Sequence, residues 1–126
     1  MPVSRGEIYW VAFAPVKGSE QGGLRPALVV QNDLGNRYSP TTVVVAITRT
    51  VPPEPYPFVV VIEPEDSALP DRSAINCSQI ATIQQIGSES RLRPPRGESE
   101  TRPIGKLGAD KMALVDEALR FNLALR

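Results

Sequence analysis

A chain of 126 residues, with 41% hydrophobic and 22% charged residues, is predicted to form one globular domain spanning residues 1–126, and this composition excludes a disordered protein. Its 14 basic and 14 acidic residues cancel, so no net charge draws the whole molecule onto nucleic acid. The absence of histidine removes the usual acid/base group near neutral pH, and with a single cysteine it argues against a structural zinc site.

The sequence also points to a cytoplasmic protein without a membrane partner. No apolar run approaches the roughly 18 residues that span a bilayer. The first ten residues lack the basic, apolar and small-residue regions of a secretory signal. Cys77 has no second cysteine with which to form an internal disulfide, and it is predicted to be a small buried hydrophobe.

Alternating or continuous apolar runs predict a mainly β domain. The four clearest strands are 6–14, 25–31, 41–48 and 58–63, and two weaker candidates are 73–77 and 80–83. Residues 32–40 and 51–57 are rich in Asn, Asp, Gly or Pro and are predicted to be loops. Short strands at this spacing are typical of a sandwich or a small barrel.

The C-terminal part of the chain contains a loop and a helix. Residues 87–103 lose apolar periodicity and carry several prolines and arginines, which predicts a mobile surface loop. Helical spacing then extends over 110–125. The predicted buried stripe is Leu114, Ala118, Phe121 and Leu125, with Val115 and Leu119 beside it.

A glycine-rich polar loop before the second strand is the first candidate for a site. Ser19, Glu20, Gln21 and Arg25 supply donors and acceptors there, and the intervening glycines permit positive φ or a close approach by a ligand. The guanidinium of Arg25 offers a planar set of donors suited to phosphate. The alternatives are a long turn without function and a surface cation paired with Glu20.

Thr48 is the candidate partner of Arg25, because it ends the third predicted strand and a barrel could bring its hydroxyl close. Its spacing from Arg25 does not establish that pairing. The alternative is a threonine at a strand end whose hydroxyl satisfies its own backbone.

Four segments together resemble the MazF/PemK family of toxins. They are R-G-E-I-Y-W-V from residue 5, G-S-E-Q-G-G-L-R-P-A-L-V-V-Q-N-D from residue 18, the strand end A-I-T at 46–48, and V-D-E-A-L at 115–119. The resemblance covers about residues 5–83 and 104–125, and the motifs occur in the family's order.

The resemblance implies a fold, an activity and partners. The fold is mainly β with a C-terminal α-helix, a small SH3-like β barrel of the CcdB/PemK type that works as a homodimer. The activity is that of a toxin from a toxin–antitoxin pair, a sequence-specific endoribonuclease that cleaves single-stranded RNA and so inhibits translation and growth. No metal or other cofactor is implied, and a cognate antitoxin is expected to hold the enzyme inactive.

Site residues carried over from the family begin with Arg25 and Thr48 as the catalytic pair. Glu20 is the carboxylate of the motif that could orient the RNA 2′-hydroxyl or act as a base. The predicted RNA-binding residues are Ser19, Gln21, Ser78 and Gln79. Ser78 departs from the family pattern, because some relatives have an acidic residue there.

Three further questions stay open at the level of sequence. The first is the class of function, because two alternatives to an endoribonuclease remain. Related toxins of the same fold poison DNA gyrase without catalysis, and the chain could also be a plain SH3-like binding module. The bases that are read are undefined, although the loops at 15–24 and 51–57 can reach them. Segment 84–103 is longer and richer in Arg and Pro than the family pattern predicts. A neutral insertion is favoured over an additional phosphate-contacting arm, because loops tolerate added length at little cost in free energy.

Overall fold

A computed structural model describes residues 2–13 and 23–126 of the chain. In this part of the chain the strands are β1 (Glu7–Phe13), β2 (Gly23–Val29), β3 (Thr41–Thr48), β4 (Val59–Ile62), β5 (Ser73–Gln84), β6 (Leu92–Arg93) and β7 (Gly105–Lys106). The helices are α1 (Asp33–Tyr38), α2 (Pro64–Ser67) and α3 (Ala109–Leu123). The strands form one antiparallel sheet in the order β4-β5-β3-β2-β1-β6, and β7 also pairs with β1.

The sheet curls into a half-barrel with an apolar cluster on each face. Successive side chains of β2 and β3 alternate between the clusters, as pleating requires. Leu28 and Val45 belong to the first cluster, which α3 covers, whereas Ala27 and Val44 belong to the second. The predicted mainly β fold with a C-terminal helix is confirmed.

Residues 32–40, predicted to be a loop, contain helix α1. The side chain of Asn32 caps this helix by accepting a hydrogen bond from the backbone N–H of Gly35 at 2.7 Å. The same Asn and Asp chemistry that favours turns also begins helices. The sequence signal was therefore read correctly as a break in the sheet, but the helix that follows the cap was missed.

Strand β5 joins the two weaker predicted strands into one element with a bulge. Its pairing with β3 shifts between Val45, opposite Ile80, and Ala46, opposite Asn76. Three residues, 77–79, are thus extra on the β5 side. The side-chain oxygen of Asn76 stabilises the bulge by accepting hydrogen bonds from the backbone N–H of Ser78 at 3.0 Å and from its hydroxyl at 2.6 Å. Such bulges re-aim side chains near functional sites.

Helix α3 buries Ala118 of the predicted stripe, together with the residues predicted beside it, but not the rest of that stripe. Val115 and Ala118 are buried in the first cluster, and Leu119 packs against it. Three members of the predicted stripe are at least half exposed: Leu114, Phe121 and Leu125. The apolar arc of the helix is wider than the surface that the sheet covers, and periodicity alone does not say which part of the arc is covered.

Segment 84–103 is also more ordered than predicted. Gln84 still belongs to β5, and β6 pairs with β1 by placing Leu92 opposite Val11. Leu92 is buried in the second cluster, and this burial explains why the segment returns to the sheet.

No helix within the described ranges has the length and apolar character that crossing a bilayer requires.

Candidate active site

Arg25 and Thr48 come from the neighbouring strands β2 and β3. The pairing of these strands ends at Ala27 opposite Ala46, and Arg25 and Thr48 each lie two residues beyond that pair and line the same cleft. On its other side Arg25 lies opposite Val11 of β1. Residues at opposite positions of adjacent antiparallel strands project from the same face of the sheet. The sheet therefore brings the two predicted catalytic residues together.

Arg25 and Thr48 both line an open cleft of about 840 Å³, here called the main cleft. Its remaining lining comes from the middle of β1, the first half of β2, the end of β3, the turn after α2, the start of β5 and the segment before β7. Besides the catalytic pair, the residues that matter below are Trp10, Arg49, Asp71, Arg96 and Ile104. A shallow cleft of this size, with polar groups beside apolar ones, suits a flexible polymer more than a small enclosed ligand.

The hydroxyl of Thr48 is held by its own backbone. Its oxygen accepts a hydrogen bond from the N–H of Thr50 at 3.1 Å. This is the local bond that the alternative interpretation expected, and it fixes the orientation of the side chain. Because the hydroxyl accepts in this bond, its own proton remains available to be donated to a ligand in the cleft.

A second cleft, of about 810 Å³, also includes Arg25 in its lining. Gln79 lines this second cleft together with Phe13 and Arg91, because the β5 bulge turns Gln79 toward it. Ser78 lines neither cleft and is exposed, with its hydroxyl bonded to Asn76. Arg25 thus stands between two clefts, and of the two predicted β5 residues only Gln79 faces one of them.

Ser19, Glu20 and Gln21 lie outside the described residues, so their predicted roles stay predictions. The described chain resumes at Gly23, whose φ of 126° favours glycine strongly over other residues. The glycines before this strand were expected to permit positive φ, and Gly23 has such a φ.

Positive charge is concentrated around Arg25 although the whole chain is neutral. The main cleft is lined by three arginines and, among the described residues, by one acid, Asp71. Asp71 pairs with Arg49 at 3.6 Å. No described carboxylate forms an ion pair with Arg25. The main cleft is therefore a local site for anions of the kind that zero net charge had required.

Cys77 is fully buried beside this site, as predicted, and burial raises the pKa of its thiol to about 11. A neutral thiol in an apolar setting is a poor nucleophile. Within residues 2–13 and 23–126 no group of three or more acidic, cysteine or histidine side chains could hold a metal ion. Metal independence itself stays a prediction.

Arg49, Arg96 and Trp10 line the main cleft without having been predicted there. Arg49 directly follows Thr48, and a cation next to a candidate site residue was an available signal. Trp10 lies in the first predicted strand, an apolar run that favours burial in the core, yet it is only partly buried. Arg96 belongs to the segment for which a phosphate-contacting arm was the less favoured interpretation, because glutamates are interspersed among its arginines.

The chain is similar to known proteins over nearly its whole length. A family model described as PemK-like, MazF-like toxin of type II toxin-antitoxin system matches residues 4–123. The chain belongs to this family. Endoribonuclease EndoA of Bacillus subtilis (strain 168) is 42% identical over 125 residues, which are 99% of this chain and 97% of EndoA.

Solved structures of MazF toxins share the fold. MazF (Form-I) from Deinococcus radiodurans superposes with a TM-score of 0.72 at 22% identity, covering 99% of both chains. An endoribonuclease in complex with its cognate antitoxin, from Mycobacterial species, gives a TM-score of 0.69 at 23% identity, with 98% of this chain and 97% of that one covered. The family predicted from the sequence is thereby confirmed, together with its fold.

Proposed function

We propose that this MazF/PemK toxin is a sequence-specific endoribonuclease that cleaves single-stranded RNA at the main cleft without a metal ion. The observation that supports it best is that Arg25 of β2 and Thr48 of β3 line one cleft, whose charged lining is three arginines and, among the described residues, one acid. The activity class is that of EndoA, which is similar over nearly the whole chain. No feature of the cleft favours the gyrase-poisoning or SH3-like alternatives.

The reaction is an internal transesterification of RNA. The 2′-oxygen forms a bond to the adjacent phosphorus, the bond from phosphorus to the 5′-oxygen breaks, and the products are a 2′,3′-cyclic phosphate and a 5′-hydroxyl. Negative charge grows on the non-bridging oxygens in the transition state. Arg25 donates to these oxygens, and a fixed donor there needs little reorganisation during the reaction.

Thr48 acts as a positioning donor to the same phosphate. Because its oxygen accepts from the backbone of Thr50, its proton is free to be donated to a phosphate in the cleft. Glu20 is the proposed acceptor of the 2′-proton, or the group that orients the 2′-hydroxyl. Asp71 is the one acid among the described residues of the main cleft, and Arg49 engages it. Glu20→Gln and Asp71→Asn separate the two, because only the loss of the base removes the rise of the cleavage rate with pH that a general base confers as it deprotonates.

RNA is bound by residues on both sides of Arg25. Gln79 contacts the RNA in the second cleft, and Ser19 and Gln21 contact it from the loop before β2. Ser78 is the weakest member of the set, since its hydroxyl is already bonded to Asn76 at 2.6 Å. Side chains that hydrogen-bond unstacked bases give sequence preference on single strands.

The proposed partners are a second copy of the chain and a cognate antitoxin that covers the RNA clefts. The family description and the complex of a relative with its antitoxin support this assignment. The activity belongs in the cytoplasm, where messenger RNA is translated. If the antitoxin blocks the clefts, the complex should lose affinity for uncleavable RNA; undiminished affinity would contradict this mode of inhibition.

Mapping the cut ends of a long RNA tests the function directly. We expect cuts at one short recurring sequence, 2′,3′-cyclic phosphate ends and the same rate in EDTA. A substrate with a single deoxynucleotide 5′ to the cut should resist cleavage, because it lacks the attacking hydroxyl. Loss of activity in EDTA, or cleavage of the deoxy substrate, would contradict the mechanism.

A further inference from the structure

Residues 94–104 form an excursion whose two ends are fixed to the same strand, β1. It leaves the sheet after β6, where Arg93 lies opposite Trp10, and it returns at β7, where Gly105 lies opposite Ile8. The N–H of Ile104 also donates to the carbonyl of Ile8. A Cβ at Gly105 would overlap the carbonyl oxygen of Ser67, so the returning chain is packed tightly against the end of α2. Anchors at both ends hold the excursion beside the main cleft.

Arg96 lies at the tip of a tight turn in this excursion. The N–H of Glu98 donates to the carbonyl of Pro95 at 2.9 Å, and Gly97 has a φ of 84°. This pattern is a type II turn with Arg96 at its second position and glycine at the third. Arg96 lines the main cleft together with Arg25 and Thr48.

The acid nearest along the turn does not neutralise Arg96. Glu98 is held instead by Arg102, whose Nε and one terminal nitrogen donate to its two carboxylate oxygens at 2.7 and 2.6 Å. This pairing lowers the pKa of the Glu98 carboxyl. Among the described residues no carboxylate forms an ion pair with Arg96. The alternation of arginine and glutamate along the sequence therefore does not cancel charge in space at Arg96.

We propose that Arg96 binds an RNA phosphate adjacent to the scissile one, which makes the 94–104 excursion an RNA-binding arm of the active site. This inference rests on the proposed function. Arg96 and Arg25 line one cleft, and successive phosphates of a single strand bound along it would meet both cations. The neutral-insertion interpretation favoured by the sequence fails to account for this placement.

The salt dependence of RNA binding tests the assignment. The probe is a short RNA carrying the cleavage sequence with a deoxynucleotide at the cut site, so that binding is measured without cleavage. Losing one phosphate contact on a single strand reduces the slope of log K against log salt by about 0.7, which corresponds to about fourfold weaker binding at 0.15 M salt. We expect this change for Arg96→Ala and near wild-type behaviour for Arg96→Lys.

Arg37→Ala is the matched control, because it removes the same charge from α1 at an exposed residue that lines neither cleft. It should leave the slope unchanged. For cleavage, Arg96→Ala should raise KM and leave kcat near its wild-type value, as expected for a contact made equally in the ground and transition states. An unchanged slope for Arg96→Ala, with the wild-type protein cleaving RNA normally, would overturn this inference alone. A wild-type protein that neither binds nor cleaves the RNA would overturn the proposed function as well.

Discussion

Replacing Arg25 by alanine should separate catalysis from folding. Arg25 is partly exposed on β2 and forms no ion pair with a described carboxylate. Removing its guanidinium therefore leaves no described carboxylate without its partner. Removal also reduces the repulsion among the three arginines of the main cleft. The free energy of unfolding should therefore change by no more than about 0.5 kcal/mol. The cleavage rate should fall by about 10² to 10³, because one preorganised donor to the transition state is lost.

Single-turnover cleavage of a labelled RNA, with protein in excess, measures this loss without interference from product release. Urea unfolding of the same preparation measures stability, and Arg25→Lys is the companion variant. Lysine keeps the charge without the planar pair of donors, so its rate should lie between those of alanine and arginine. Undiminished cleavage by Arg25→Ala would refute the assignment of Arg25. A rate loss matched by unfolding would show instead that Arg25 is structural.

Three other substitutions or treatments address the rest of the site and the fold. Thr48→Val should cleave RNA much more slowly than Thr48→Ser in the same assay, because only serine retains a hydroxyl donor; equal rates would remove Thr48 from the mechanism. Asn36→Ala should lower the free energy of unfolding in urea by at least about 1–3 kcal/mol, since the buried hydroxyl of Thr42 loses the acceptor that it reaches at 2.7 Å. Cys77 should react with iodoacetamide at pH 8 only after unfolding, as read by mass spectrometry, and rapid labelling of the native protein would contradict its burial. Burial raises the pKa of the Cys77 thiol to about 11 from an ordinary value of 9.0. The stability that the protonated thiol contributes is therefore complete below about pH 9 and is lost as the pH rises toward 11. In Cys77→Ala the free energy of unfolding should lack this part of its decrease at alkaline pH.

The sequence predicted most of the sheet because its strands are short apolar runs with clear breaks. Strand β3 has the predicted bounds, and β1, β2 and β4 differ by one or two residues at their ends. The wrong predictions share a cause, because a local sequence pattern does not show which other elements pack against that segment. Helix α1 was hidden in a run of turn-forming residues, and the buried face of α3 was placed on the wrong stripe.

The candidate site was predicted through motifs, and its geometry came only from the fold. Arg25 and Thr48 were named on the resemblance to MazF and PemK, and no spacing in the chain showed that they meet. Their alignment depends on the register of β2 against β3, which the packing of alternate side chains into two separate apolar clusters determines.

By itself the sequence determined the family, the mainly β fold and the absence of histidine or thiol chemistry from the site. The tertiary structure decided where the charge lies. Arg96 lies in a segment where glutamates are interspersed among arginines along the chain, but Arg102 engages Glu98 and both ends of the excursion are fixed to β1. Electrostatic interactions act through space and depend on these pairings, so a cleft with a net positive charge could be recognised in a neutral chain only after the fold was known.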